Sequence, residues 1–153
     1  MSIHILHNYI TQLEQFIPQL EKVDERISNG SIAWHIAHSL LSVNGIIEAL
    51  RTSDPASYTW KFNLARSFIF TIKKIPRGKG KAPSVVQPKS SDKETIEKLL
   101  IICKERLEAL NEIPSSHYFH HPYFGNLRKN KTIKFLNLHT HHHLKIIQEI
   151  VAS

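Results

Sequence analysis

Two histidines one helical turn apart, His139 and His143, are where the sequence first offers chemistry. A neutral imidazole nitrogen is a good ligand for a divalent metal, and a pair spaced i, i+4 on a helix aims both rings at one point. At about 100° per residue, Leu136, His139, His143, Ile146, Ile147 and Ile150 share one face of the segment 132–151, with Asn137, His141 and Gln148 opposite. Two imidazoles among aliphatic side chains are costly, because each ring has two nitrogens to satisfy and burial disfavours its charged form. A shared cation removes that cost if a third ligand arrives from another helix. The segment Trp34-His35-Ile36-Ala37-His38 supplies two candidates, His35 and His38, and periodicity leaves both open because this helix is apolar almost all round. His142 flanks the apolar face and His121 precedes the last helix, so either could carry a proton or orient a ligand near the site.

The elements that must position these residues read as helices. Ile3, Leu6, Ile10, Leu13, Ile17 and Leu20 recur at steps of three and four, predicting a helix over 3–20 with Ser2 as cap and a kink or end near Pro18. After the Asn29-Gly30 turn, Ser31 caps a second helix over 32–51, stopped by Ser53-Asp54-Pro55. Residues 57–75 carry a looser helical pattern, and the Pro-, Gly- and Lys-containing stretch 76–90 reads as a loop. Ser91-Asp92-Lys93-Glu94 fits a capping box for a helix ending near Pro114. Residues 114–131, with His117, His120 and His121 among Tyr118, Phe119, Tyr123 and Phe124, read as a second loop, and Thr132 as the cap of the last helix. No internal repeat is visible. The expected architecture is an all-α four-helix bundle with an additional inserted helix, forming one domain over 1–153.

Composition sets bounds on function. A chain of 153 residues, 41% hydrophobic and 22% charged, suits a globular core rather than a disordered segment. No apolar run is long enough to span a bilayer and the N-terminus lacks the pattern of a secretory signal, so a cytoplasmic protein without a membrane partner is expected. The lone Cys103 lies on a core stripe and reads as inert packing. The net charge of +7 raises the question of nucleic acid. Glu14, Glu21, Asp24, Glu25, Glu94, Glu97 and Glu105 point to mixed surfaces instead. The basic stretch Lys73, Lys74, Arg77, Lys79 and Lys81 reads as a solvated loop.

The motif Trp34-His35-Ile36-Ala37-His38 together with His139-Thr140-His141-His142-His143 resembles the DinB/YfiT-like superfamily. His121-Pro122-Tyr123-Phe124-Gly125 resembles the His-Pro-Phe-Phe-Gly signature of one branch of it, and the Lys/Pro/Gly loop is similar to that branch as well. The resemblance covers nearly the whole chain. It implies a bundle with one metal ligand on the second helix and two on the last, hence His38, His139 and His143. It also implies nickel or zinc as the ion, a homodimer, and activity as a thiol transferase or hydrolase on a small molecule, with a low-molecular-weight thiol as one substrate class. Branch members often carry Gln shortly after the paired histidines, where this chain has Ile146-Ile147. Three protein ligands leave a position open for water or substrate, the pattern of a catalytic site. A module that binds a metal or small ligand without catalysis is the alternative.

Overall fold

A computed structural model describes residues 2–78 and 81–153. In chain order it contains α1 (Ile3–Glu14), α2 (Ile32–Thr52), α3 (Leu64–Ile72), α4 (Lys93–Ala109), β1 (Tyr118–His121), β2 (Gly125–Arg128) and α5 (Lys129–Ala152). The expected all-α four-helix bundle is corrected by β1 and β2, which pair antiparallel from Tyr118 opposite Arg128 to His121 opposite Gly125. The molecule is mostly helical, with five α-helices and one two-stranded sheet among the described residues. A hairpin of four-residue strands escapes pattern reading because each strand offers few inward positions, and only Leu127 is fully buried. Its register is set by the turn. Gly125 adopts φ +68°, and His121 Nδ1 accepts the backbone N–H groups of Tyr123 (3.1 Å) and Phe124 (3.2 Å).

Helix boundaries follow the strongest local caps. α2 begins as expected, with Ser31 Oγ accepting the Trp34 N–H at 3.2 Å. α1 stops at Glu14, short of the expected residue 20, and Pro18 falls in a short 3-10 turn, Ile17–Gln19. Ser2 precedes α1, but its side chain makes no capping bond. α3 is shorter than its pattern because Asn63 Oδ1 accepts the Arg66 N–H at 2.7 Å and starts the helix there. α4 is capped by Asp92, which accepts from Thr95 N at 2.8 Å, so the expected Ser91 capping box is displaced by one residue. α5 starts three residues before Thr132, whose hydroxyl instead donates to Leu127 O at 2.7 Å.

The core lies where α1 packs on α5 and α4, and α2 packs on α4 and α5. Leu6, Ile10, Leu13, Ile36, Leu40, Ile47, Leu100, Leu107, Leu136 and Ile147 fill it. Contact with both α1 and α2 buries α5 on more than one face, so Asn137, expected opposite the core, is fully buried. Its amide donates to Ile133 O (2.9 Å) and Ser2 O (3.3 Å). Asn44 Nδ2 donates to Leu99 O at 3.1 Å and ties α2 to α4.

Among the described residues beyond its two chain neighbours, no heavy atom lies within 4 Å of a Cβ built on Gly125, so the cost of a side chain there is backbone strain. Gly125→Ala should therefore destabilise the protein by about 1–2 kcal/mol, read as a lower urea midpoint with an unchanged slope.

Candidate metal centre

The first turns of α2 face the central turns of α5 in antiparallel sense, which brings His35 opposite His143 and His38 opposite His139. One ring nitrogen from each of His38, His139 and His143 lies within 4.8 Å of the other two. His38 and His143 are buried and His139 is half-buried. The three rings approach with centroids 4.7–5.1 Å apart. Trp34 stacks on His38 at 4.9 Å and 8°, closing one side of the cluster.

The hydrogen bonds constrain which nitrogens are protonated. His38 Nδ1 lies 2.8 Å from the Val86 carbonyl, which can only accept, so Nδ1 carries the proton and Nε2 of the neutral ring is a lone pair. That lone pair faces His139 Nε2 at 3.2 Å. If His139 donates from Nε2, its buried Nδ1 is left without a partner; if Nδ1 holds the proton, two lone pairs oppose each other. A cation between the rings removes the opposition of the two Nε2 lone pairs, while His139 Nδ1 keeps no partner among the described residues. Two nitrogens about 2.0–2.1 Å from one tetrahedral ion stand about 3.3 Å apart, close to the spacing found. The donor set therefore fits a divalent ion.

A second chain of bonds holds His143. Its Nδ1 meets His35 Nδ1 at 2.9 Å, and His35 Nε2 meets Ser28 Oγ at 2.9 Å. Ser28 Oγ also accepts the Gly30 N–H at 3.1 Å. With His143 offering Nε2 to the centre, the protons run in one direction: His143 Nδ1–H to His35, and His35 Nε2–H to Ser28. His35 thus stands behind a candidate ligand. Neither Ser28 nor the Val86 carbonyl carried any sequence signal, the first being a short polar side chain in a turn and the second a backbone atom.

Electrostatics keep these rings neutral. Burial holds His139 and His143 well below the ordinary histidine range and lowers His38 against the opposing Val86 bond. Burial lowers His35 to about 4, with neighbouring His38, His142 and Arg77 adding to the effect. No carboxylate belongs to the cluster among the described residues.

The two other histidines expected near the site part company. His142 packs edge-on against His143, with centroids 5.0 Å apart, and burial lowers it to about 4 with Arg77 adding. His121 is built into the hairpin, stacked on Phe124 at 4.3 Å and edge-on to Phe135 at 4.6 Å, with Nδ1 engaged by the turn. His117 bonds Leu50 O (3.0 Å) at the end of α2, His120 bonds Asn126 across the hairpin (2.8 Å), and His141 stacks on Tyr9. The stretch 76–90, read as a loop, covers the centre in part, and the basic residues within it are not all solvated. Val86 holds His38, and Arg77 pairs bidentately with Glu149 of α5 at 2.7 and 2.9 Å. Lys79 lies outside the described residues. Cys103 is buried in α4, its thiol pushed up to about 12 by burial.

The class of protein these observations define is a helical one with a three-histidine centre able to hold a metal ion. Residues 38–150 match the family described as Protein of unknown function (DUF1569), about three quarters of the chain, and the protein belongs to that family. The matched region contains all three clustered histidines. No curated protein and no solved structure matches the chain.

Buried neutral histidines fix the sign of the pH dependence. With folded values near 4 for His35 and His142 against an ordinary 6.5, the unfolded chain takes up protons first. Stability is complete above about 6.5 and falls as the pH drops toward 4. In the presence of a chelator, the urea midpoint should fall between neutrality and about pH 5, with His35 alone contributing about 2 kcal/mol. A midpoint that rises over this interval would contradict neutral burial.

Proposed function

We propose that the protein is a metal-dependent enzyme of the DinB/YfiT-like kind, holding one divalent ion, zinc or nickel, on His38, His139 and His143. The observation that carries the reading is the pair of Nε2 atoms of His38 and His139 facing each other at 3.2 Å in a site without a carboxylate. Bound there, an ion on three neutral imidazoles supplies Lewis-acid chemistry, lowering the pKa of a water or thiol at its open position. The chain's own residues do the rest. Val86 fixes the His38 tautomer, Trp34 shields that ring from water, and His142 packs edge-on against His143 beside the centre. The substrates are a small electrophile or ester and water or a low-molecular-weight thiol.

A module that holds the ion without turnover is the second reading. It is favoured by the burial of His38 and His143, only 3% and 7% exposed, which leaves little room for a large substrate. Screening with low-molecular-weight thiols, with and without added zinc or nickel, separates the two: ion-dependent turnover supports the enzyme, and tight ion binding without turnover supports the module.

Protein purified without an affinity tag should contain about one divalent ion per chain. The His139→Ala/His143→Ala variant should contain almost none while keeping its helical circular dichroism. Equal metal content in both proteins would remove the site.

His35 acts through His143 rather than on the ion. His35→Ala should weaken zinc affinity about 10–100-fold in a chelator competition, and His35→Asn, whose amide oxygen can accept from His143, should recover part of the loss. An unchanged affinity in His35→Ala would show that the His143–His35–Ser28 chain does not orient the ligand.

A further inference from the structure

α3 turns its apolar side outward. Ile69 is its only buried residue, and Phe70 packs on Phe124 of the hairpin. Arg66 anchors the helix by donating to Phe124 O (3.1 Å) and Lys61 O (2.7 Å), and Asn63 donates to Tyr123 O (2.8 Å). Leu64, Phe68 and Ile72, at i, i+4 and i+8, form a stripe on the other side and are 74%, 60% and 40% exposed. Trp60 and Phe62 continue it, 65% and 66% exposed. Among the described residues, these five and Val85 are six of the ten large exposed apolar side chains, so the exposure is concentrated in residues 60–85 and not scattered along the chain.

The charge of the same stretch is equally segregated. Between Asp54 and Asp92 there is no acidic residue, while Lys61, Arg66, Lys73, Lys74, Arg77, Lys79, Lys81 and Lys89 are basic. These eight charges exceed the net +7 of the whole chain, so the remainder is close to neutral. Among the described residues, Glu149 on Arg77 is the one acidic side chain paired with any of them. Lys61, Lys73, Lys74, Lys81 and Lys89 are exposed.

We infer that this face is a docking surface for an anionic phospholipid bilayer, on which α3 and residues 58–62 lie in the interface plane. Exposed aromatic and aliphatic side chains enter the acyl boundary, and the lysines meet anionic headgroups, each side chain laying its hydrocarbon stem along the apolar surface. Tryptophan at the edge of the patch suits the headgroup level. A second copy of this chain is a poorer occupant, since a symmetric contact through this face would set two basic surfaces against each other. A nucleic acid leaves Leu64, Ile72 and Val85 without a role, because aliphatic side chains do not stack on bases as aromatic rings do. Adsorption needs no spanning helix, and among the described residues no helix is long and apolar enough to cross a membrane. The nine residues of α3 are only about 14 Å long.

The experiment uses the full chain with vesicles of equal parts phosphatidylcholine and phosphatidylglycerol, and with vesicles of phosphatidylcholine alone. The protein should sediment with the anionic vesicles at about 0.1 M salt and be released at about 1 M. Its tryptophan emission should shift to the blue on binding, and the shift should vanish in Trp60→Phe. Leu64→Ser/Phe68→Ser and Lys73→Glu/Lys74→Glu replace exposed residues and should each lower the partition coefficient about tenfold or more. Failure to sediment with anionic vesicles overturns the inference, as does binding of both double variants as strong as that of the unaltered protein. A dimer that the Leu64→Ser/Phe68→Ser change dissolves, in protein that ignores vesicles, would assign the face to a second copy instead.

Discussion

The structure turns on the cost of burying imidazole. His35, His38 and His143 are almost inaccessible, His139 is enclosed at Nδ1, and among the described residues no carboxylate belongs to the cluster. A buried neutral ring has one donor and one acceptor to satisfy, and a cluster of rings satisfies them only if its tautomers agree. They agree here in two directions. Val86 fixes His38 from the loop, and Ser28 fixes His143 through His35 from the turn before α2. At the centre, what remains unsatisfied belongs to His139, whose Nε2 faces His38 Nε2 and whose buried Nδ1 has no partner among the described residues.

The rest of the fold serves that geometry. Antiparallel packing of α2 on α5 sets the two histidine pairs opposite each other, while α4 and α1 complete the apolar core around them. Ser39 and Ser42 turn their hydroxyls back onto the carbonyls of His35 and His38 at 2.8 Å, so small polar residues sit inside α2 without needing outside partners. The hairpin carries an aromatic run from Phe124 through His121 and Phe135 to His139, and so links the turn to the centre by packing alone.

The outer face obeys a different constraint. A helix that buries one residue and exposes an apolar stripe gains little from the fold it belongs to. Its attachment joins Ile69 and the Phe70–Phe124 contact to hydrogen bonds from Arg66 and Asn63 to backbone carbonyls of the hairpin turn. That division gathers the molecule's excess positive charge and its exposed aromatic side chains in one stretch of chain, from which Arg77 and Val86 reach the centre.

From residue order alone, the helical character of the chain was legible, as were the cap at Ser31 and the inward direction of His143 with its aliphatic neighbours, because each rests on local periodicity or one short-range bond. The helix ends shifted where a stronger neighbouring cap competed, as with Asp92 over Ser91 and Asn63 over the residues before it. Tertiary structure alone decided the hairpin, since its strands are too short for alternation to show, and the burial of Asn137, since a helix wheel cannot tell how many neighbours will surround it. It also decided that His35 stands behind His143 while His38 faces His139. That difference depends on the rotation of α2 against α5, which is set by packing between segments about a hundred residues apart.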